Sequence, residues 1–212
     1  MGHEEEPIGA VLNVPEFPEG SLQPHIFFEK ESFMPTINEL FGWEKPKYIG
    51  LRDPTRNVIR SYQNANRFYD SAQEYVYIEQ GMVFLSKFIH KRAHEFPKKF
   101  DAFIEMLHEH HLMGEYPATP ELDWKAELTD IDDVFALLIK ISDDIQEALE
   151  EFHKAAEKPG LRPMALFSEE LMLQNSKERT EILALWKRWD TYAGSKTSFD
   201  SWVQKILYEE EI

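Results

Sequence analysis

The spacing of apolar residues along the chain predicts four long amphipathic helices followed by a short fifth one. Apolar side chains recur every three or four residues through each stretch, which places them on one face of a helix. In chain order, the helices are predicted over residues 53–80, 81–111, 129–158, 161–193 and 198–209. Pro97 lies inside the second helix and should kink it, because proline removes one backbone hydrogen bond.

Residues that favour helix ends stand at several of these boundaries. Asp53 followed by Pro54 is typical of an N-cap and a first helical residue. Thr129 or Asp130 can cap the third helix, and Gly194 can close the fourth, because glycine tolerates the backbone turn that follows a helix.

The first 54 residues follow a different pattern. Seven of the twelve prolines lie there, and helical periodicity cannot survive that density. The segment still carries apolar side chains that need burial: Phe17, Ile26, Phe27, Phe28, Phe33, Met34, Leu40, Phe41 and Trp43. We therefore divide the chain into an extended N-terminal arm, residues 1–54, and a helical bundle, residues 55–212. The arm is expected to pack on its own bundle or on a neighbouring subunit; a loop layer on the same domain is the alternative.

The connection between the second and third helices is unusually long. It covers about residues 113–129, whereas packed helices are usually joined by about 2–8 residues. A long crossover allows the two helices that it joins to run parallel to each other. The loop lengths therefore predict an all-α four-helix bundle with parallel second and third helices.

Several short segments resemble the ferritin family. Asn-Arg-Phe-Tyr-Asp-Ser-Ala at residues 66–72 is similar to a stretch of the first ferritin helix, and residues 88–95 are similar to a stretch of the second. Residues 131–135 and 151–156 resemble the start and the end of the third. Their order and spacing match the family over about residues 56–208, and the arm is not covered. The resemblance implies a ferritin-like bundle with a short fifth helix.

The resemblance also implies a di-iron centre, and its ligand positions can be compared with this chain. In the family the ligands are a Glu on the first helix, a Glu-x-x-His pair on the second, a Glu on the third, and a Glu or Gln on the fourth. Here the corresponding residues are Arg67 (or Asn66), Phe96, Lys99, Ser142 and Gln174. Only Gln174 has a matching type, and positive or apolar side chains do not bind iron.

Shifting the alignment by one residue does not restore the ligand set. Such shifts offer Glu95, Asp143 and Glu178, but no single register recovers the histidine together with the glutamates. We therefore predict a degenerate centre with no ferroxidase activity and no bound cofactor.

Two Glu-x-x-His pairs elsewhere keep a metal site open as an alternative. Glu105 with His108, and Glu150 with His153, each share a helix face at i and i+3 and lie late in the second and third helices. Glu169 or Glu170 could join them from the fourth helix. The simpler interpretation is a set of solvated helix ends in an acidic, histidine-bearing chain.

The remaining histidines and tryptophans have structural interpretations. His90 and His94 are spaced by four residues without an intervening glutamate, so they do not form the zinc-protease motif, and we interpret them as bundle or interface residues. The histidine-rich stretch 108–111 is expected to place cationic imidazoles at a helix C-terminus, with a surface metal site as the alternative. Burial is expected for Trp186, Trp189 and Trp202; exposure would mark a partner surface.

Composition narrows the classes of function. The 212 residues include 23 Lys and Arg against 39 Asp and Glu, a formal net charge of −16 that argues against nucleic-acid binding. The absence of Cys excludes disulfides and thiolate metal sites. No apolar run reaches the ~20 residues that span a bilayer. We expect a soluble chain. The sequence does not determine its compartment, which could be an organelle or a membrane complex that the chain joins through partner proteins.

Two function classes remain. We favour a non-catalytic structural or interaction subunit that docks onto other protein subunits, of the same or another kind, through the arm and the aromatic helix ends. The alternative is iron handling, either as a catalytically silent ferritin subunit, which the acidic charge would suit, or through a relocated di-metal site that binds iron.

Overall fold

The computed structural model describes residues 42–118 and 128–209, and over these residues the chain forms six α-helices. The helices are α1 (Arg52–Ile78), α2 (Val83–Ala93), α3 (Glu95–Glu109), α4 (Ile131–Ala156), α5 (Arg162–Thr191) and α6 (Lys196–Glu209). A short 3-10 helix, Pro46–Tyr48, precedes α1. The predicted arm up to residue 41, the middle of the crossover and the acidic end of the chain lie outside the described residues.

Hydrogen bonds between the helices define their directions. The start of α1 meets the end of α4, where the Asn57 amide donates to Glu151 at 3.0 Å. The end of α1 meets the start of α2, where the Gln73 amide donates to the Ser86 hydroxyl at 3.1 Å. Since α1 packs against α4 and against α2 and α3, both neighbours run antiparallel to it and parallel to each other. The crossover topology predicted from loop lengths is confirmed.

The second predicted helix is divided into α2 and α3 at His94. Pro97 occupies the first turn of α3, where it has no N–H to donate to the carbonyl of Ala93. The His94 N–H still donates to the carbonyl of His90 at 3.3 Å. The predicted kink is therefore present as a break three residues before the proline.

A capping box begins α4. The Asp130 carboxylate accepts from the backbone N–H of Asp133 at 2.9 Å, so Asp130 is the N-cap. The Asp133 carboxylate accepts from the hydroxyl and the N–H of Thr129, and these hydrogen bonds hold the pKa of Asp133 below its usual value.

The predicted N-cap of the first helix is wrong. The helix begins at Arg52, with Leu51 at the N-cap, and Asp53 lies inside the first turn without a capping hydrogen bond. Leu51 is fully buried, and its carbonyl accepts from both the N–H and the hydroxyl of Thr55. Burial of Leu51 therefore starts the helix before the Asp-Pro signal.

The segment just before α1 packs into the core of the bundle. Trp43 and Tyr48 are buried, and the Tyr48 hydroxyl donates to the backbone carbonyl of His110 at 2.9 Å. Gly42 has a φ of 70°, and a Cβ there would lie 2.7 Å from the carbonyl oxygen of His111. This close approach leaves no room for a side chain at position 42.

Helix α6, which corresponds to the predicted short fifth helix, is held in place by aromatic packing and by one carboxylate. Phe199 of α6 is fully buried. Its ring centroid lies 5.3 to 6.3 Å from the centroids of four other rings, which belong to Phe135, Trp189, Tyr192 and Trp202. Asp200 accepts from the backbone N–H groups of Phe84 and Leu85 at 2.9 and 2.8 Å. Asp200 thereby satisfies two free donors at the start of α2. Burial is confirmed for Trp189, whereas Trp186 and Trp202 are half-buried.

None of the helices in the described part of the chain combines the length and the apolar character needed to cross a membrane.

Candidate functional site

An ion pair between α3 and α5 lies in the centre of the bundle. The ammonium group of Lys99 donates to the carboxylate of Glu178, and their side chains are only 10% and 17% exposed. The Lys99 ammonium also lies 5.8 Å from the centre of the Phe96 ring. Largely removed from water, the two charges depend on each other for compensation.

Two tyrosines of α1 face this ion pair. Tyr62 and Tyr69 are buried, and burial together with the negative charge of Glu178 raises the pKa of both phenols well above the ordinary tyrosine value. Tyr69 hydrogen-bonds Ser142 and packs edge-on against Phe96, with ring centroids 4.7 Å apart. Both phenols therefore stay protonated at neutral pH.

Amide and hydroxyl groups complete the polar centre between α4 and α5. The buried Asn175 amide donates to the carbonyl of Ser142 at 2.9 Å and to the Gln146 side chain at 3.2 Å. The Ser142 hydroxyl donates to the carbonyl of Leu138 at 3.1 Å, one turn earlier in α4. These bonds satisfy polar groups that would otherwise be costly to bury.

Three of the five ligand positions implied by the family resemblance lie together in the structure, and two lie elsewhere. Phe96, Lys99 and Ser142 lie in the bundle centre. Arg67 is exposed, and Gln174 is half-buried with its amide 3.3 Å from Glu170 on the same helix.

The buried amide on α5 is Asn175, which sequence reasoning missed. Asn175 follows Leu171 by four residues and precedes Ile182 by seven, so it stands on the buried stripe of α5. A polar residue on an apolar stripe was the signal that could have identified it.

The three acidic residues that a one-residue shift of the alignment offered as ligands do not lie together either. Glu178 lies in the centre and pairs with Lys99. Asp143 is exposed and accepts from Arg179 at 2.6 Å. Glu95 pairs with Lys98 at 2.8 Å, and that hydrogen bond lowers the pKa of Glu95.

A pocket of about 490 Å³ lies between α1 and α3 beside the centre. Its lining consists of Tyr62, Gln63, Asn66, Arg67, Phe96, Pro97 and Phe100. Among the described residues, the buried Tyr62 hydroxyl and the Gln63 side-chain oxygen have no hydrogen-bond partner. These two polar atoms therefore stand beside the pocket without a protein partner.

The two Glu-x-x-His pairs lie at different kinds of position. Glu105, His108 and Glu150 are exposed, and Glu150 accepts from the Gln146 amide at 3.1 Å. His153 is half-buried and contacts the carbonyl of Ala165 at 3.2 Å, with the Glu157 and Glu169 carboxylates 3.5 and 3.7 Å from its Nε2. The described residues contain no group of three or more His, Asp or Glu that could hold a metal ion, so the two pairs do not combine into one.

His90 and His94 are exposed, with their Nε2 atoms 3.0 Å apart, so of the two expected positions, bundle or interface, the bundle interior is wrong. The interface position stays a prediction. At the end of α3, burial and the nearby Lys47 charge lower the pKa of His110. This shift works against the expected cationic imidazole at His110, because partial burial disfavours its charged form.

The chain is similar to known protein structures in its fold. No family model and no curated protein matches the chain. Apo-ferritin from Pseudo-nitzschia multiseries has a TM-score of 0.67 and 17% sequence identity, over 72% of this chain and 98% of that one. One iron-soaked variant of PmFTN has a TM-score of 0.66 and 17% identity, over 71% of this chain and 96% of its own. A second iron-soaked variant of PmFTN has a TM-score of 0.66 and 15% identity, over 72% of this chain and 97% of its own. The helix order, the crossover topology and these structural matches together show that the chain has the ferritin-like fold.

Proposed function

We propose that the chain is a non-catalytic ferritin-like subunit that serves a structural or interaction role in a larger protein assembly. The observation that carries the proposal is the Lys99–Glu178 ion pair in the bundle centre. In the ferritin-like fold, the bundle centre is where iron-binding carboxylates converge from all four helices.

The residues of the centre do not fit a pair of iron ions. A di-iron site needs several carboxylates and imidazole nitrogens that project inward. The centre offers the Glu178 carboxylate, and the Lys99 ammonium already neutralises it. Tyr62 and Tyr69 present protonated phenols to the centre, because burial and the Glu178 charge raise the pKa of both. Among the described residues, the other polar groups of the centre are the neutral Ser142, Gln146 and Asn175, so the donor set favours a structural centre.

An exposed apolar surface at one end of the bundle supports an interaction role. Tyr77 and Ile78 at the end of α1 and Val83 at the start of α2 are 55%, 61% and 39% exposed. Burial of apolar surface contributes about 25 cal/mol per Å², so three such side chains can add measurably to docking. We define Tyr77, Ile78 and Val83 as the turn patch.

We predict that the purified chain does not oxidise iron at a ferritin-like rate. The expected result is that Fe(II), supplied at two ions per chain in air, oxidises no faster than with Glu178→Gln, which removes the central carboxylate. Absorbance of the ferric product measures the rate, and the Pseudo-nitzschia multiseries ferritin serves as a ferritin reference. Rapid oxidation that Glu178→Gln abolishes would contradict the proposal and favour iron handling.

We predict that removing the N-terminal arm weakens assembly more than it unfolds the bundle. The deletion should end at residue 41, because Trp43 and Tyr48 belong to the core. The expected result is a smaller native particle by light scattering, with a melting temperature close to that of the full chain. Tyr77→Ser in the full-length chain tests the turn patch in the same assay. An unchanged particle mass for both variants would count against a docking role of these surfaces.

A further inference from the structure

His90 and His94 bring two metal-binding side chains together outside the bundle centre. Their Nε2 atoms are 3.0 Å apart, their ring centroids are 4.4 Å apart, and the ring planes cross at 80°. Both side chains are exposed to solvent. The two nitrogens share one hydrogen bond, in which the Nε2–H of one ring donates to the Nε2 of the other, so both are directed to the same spot on the surface.

The backbone holds this pair in place. His90 lies in the last turn of α2, and His94 directly follows the helix. The His94 N–H donates to the carbonyl of His90 at 3.3 Å, so helical geometry continues across the four-residue spacing. Histidines at i and i+4 on one helical face are an established arrangement for two metal ligands.

The distance between the two nitrogens fits an ion whose neighbouring ligands lie near 90°. Imidazole nitrogens bind a metal ion at about 2.05 Å. If both nitrogens bind one ion at that distance while staying 3.0 Å apart, the angle between the two bonds at the ion is about 94°. This angle is close to the 90° between neighbouring ligands of square-planar and octahedral ions and well below the tetrahedral angle that zinc prefers. Cu²⁺ and Ni²⁺ favour tetragonal nitrogen sites, and Cu²⁺ binds most tightly in the series.

The charges around the pair permit a cation to bind. Arg92 is paired with Glu181, and Lys98 is paired with Glu95. The Lys87 ammonium lies 5.3 Å from the centre of the Phe84 ring, and Lys91 is exposed. These lysines lower the affinity locally, while the net charge of −16 attracts cations to the molecule as a whole.

We propose that His90 and His94 form a surface site for a divalent transition-metal ion with neighbouring ligands near 90°, Cu²⁺ or Ni²⁺. The two Nε2 atoms supply cis ligands, each ring carrying its proton on Nδ1, and water completes the coordination. This site is separate from the bundle centre, and it exists whether or not the centre handles iron.

Copper binding to the full-length chain tests the site. The background His3→Ala/His25→Ala removes the two histidines that lie outside the described residues. With less than one Cu²⁺ per chain, the electron paramagnetic resonance spectrum is expected to show coupling to two imidazole nitrogens. His90→Ala and His94→Ala are each expected to abolish that pattern and to weaken binding at least about tenfold by competition titration.

The control is the double variant His108→Ala/His111→Ala, which removes two exposed imidazoles of the other histidine cluster and should leave the two-nitrogen spectrum unchanged. His90→Gln and His94→Gln repeat the test with side chains that keep helix propensity, and melting without metal verifies the fold. A two-nitrogen spectrum that survives His90→Gln, or that disappears in the control, would overturn the assignment.

Discussion

Replacing Lys99 by methionine is expected to lower the free energy of unfolding by about 3 kcal/mol, because it leaves the Glu178 carboxylate unpaired in the bundle centre. Removing one partner of a buried ion pair typically costs about 3–5 kcal/mol, and the small remaining exposure of both side chains favours the lower end. Urea unfolding at neutral pH, followed by far-ultraviolet circular dichroism, measures the change.

Two matched variants separate burial of the charge from loss of the contact. Lys99→Met/Glu178→Leu removes both charges and is expected to be as stable as the parent chain or more stable, since apolar replacements remove the cost of burying two ions. Arg179→Met breaks the exposed pair with Asp143 and is expected to cost less than about 1 kcal/mol. Equal stability of Lys99→Met and the parent chain would show that water reaches Glu178 freely.

Replacing Phe199 by alanine is expected to cost about 3–5 kcal/mol of stability, the usual loss when a fully buried phenylalanine is truncated in a core. The rings of Trp189 and Trp202 lie 5.3 and 5.7 Å from Phe199, so their surroundings should become more polar. We therefore expect a red shift of tryptophan fluorescence together with the lower unfolding midpoint.

Neighbouring substitutions on α6 serve as controls. Ser198→Ala changes an exposed residue and is expected to leave both the fluorescence and the midpoint almost unchanged. Asp200→Asn weakens the cap on α2 without opening a cavity, so it should cost less than Phe199→Ala. A fluorescence spectrum unaffected by Phe199→Ala would contradict the aromatic docking of α6.

Local signals predicted most of the helices correctly. The apolar spacing placed α4 and α5 within a few residues of their observed bounds, because helix periodicity and capping act over neighbouring residues. Asp130 caps α4 through Asp133, three residues later. The same reasoning failed at Asp53, where burial of Leu51 outweighed the local Asp-Pro signal.

The candidate centre was only partly accessible from the sequence. The resemblance directed attention to Lys99 and Ser142, and both lie in the bundle centre. The partner of Lys99 is Glu178, 79 residues further along the chain, which sequence spacing could not select over the exposed Asp143. Asn175 was missed because the expected position was its neighbour Gln174, and one residue rotates a helical side chain by about 100°.

The sequence by itself determined the all-α class, the order of the helices and the long crossover that makes the second and third helices parallel. These features follow from periodicity, prolines and loop lengths, which are properties of nearby residues. Only the tertiary structure decided that Lys99 meets Glu178, that Asp200 caps α2, and that His90 and His94 stand on the surface with their nitrogens together. Such contacts depend on how separate helices rotate and pack against one another, and no local pattern encodes that rotation closely enough to pair individual atoms.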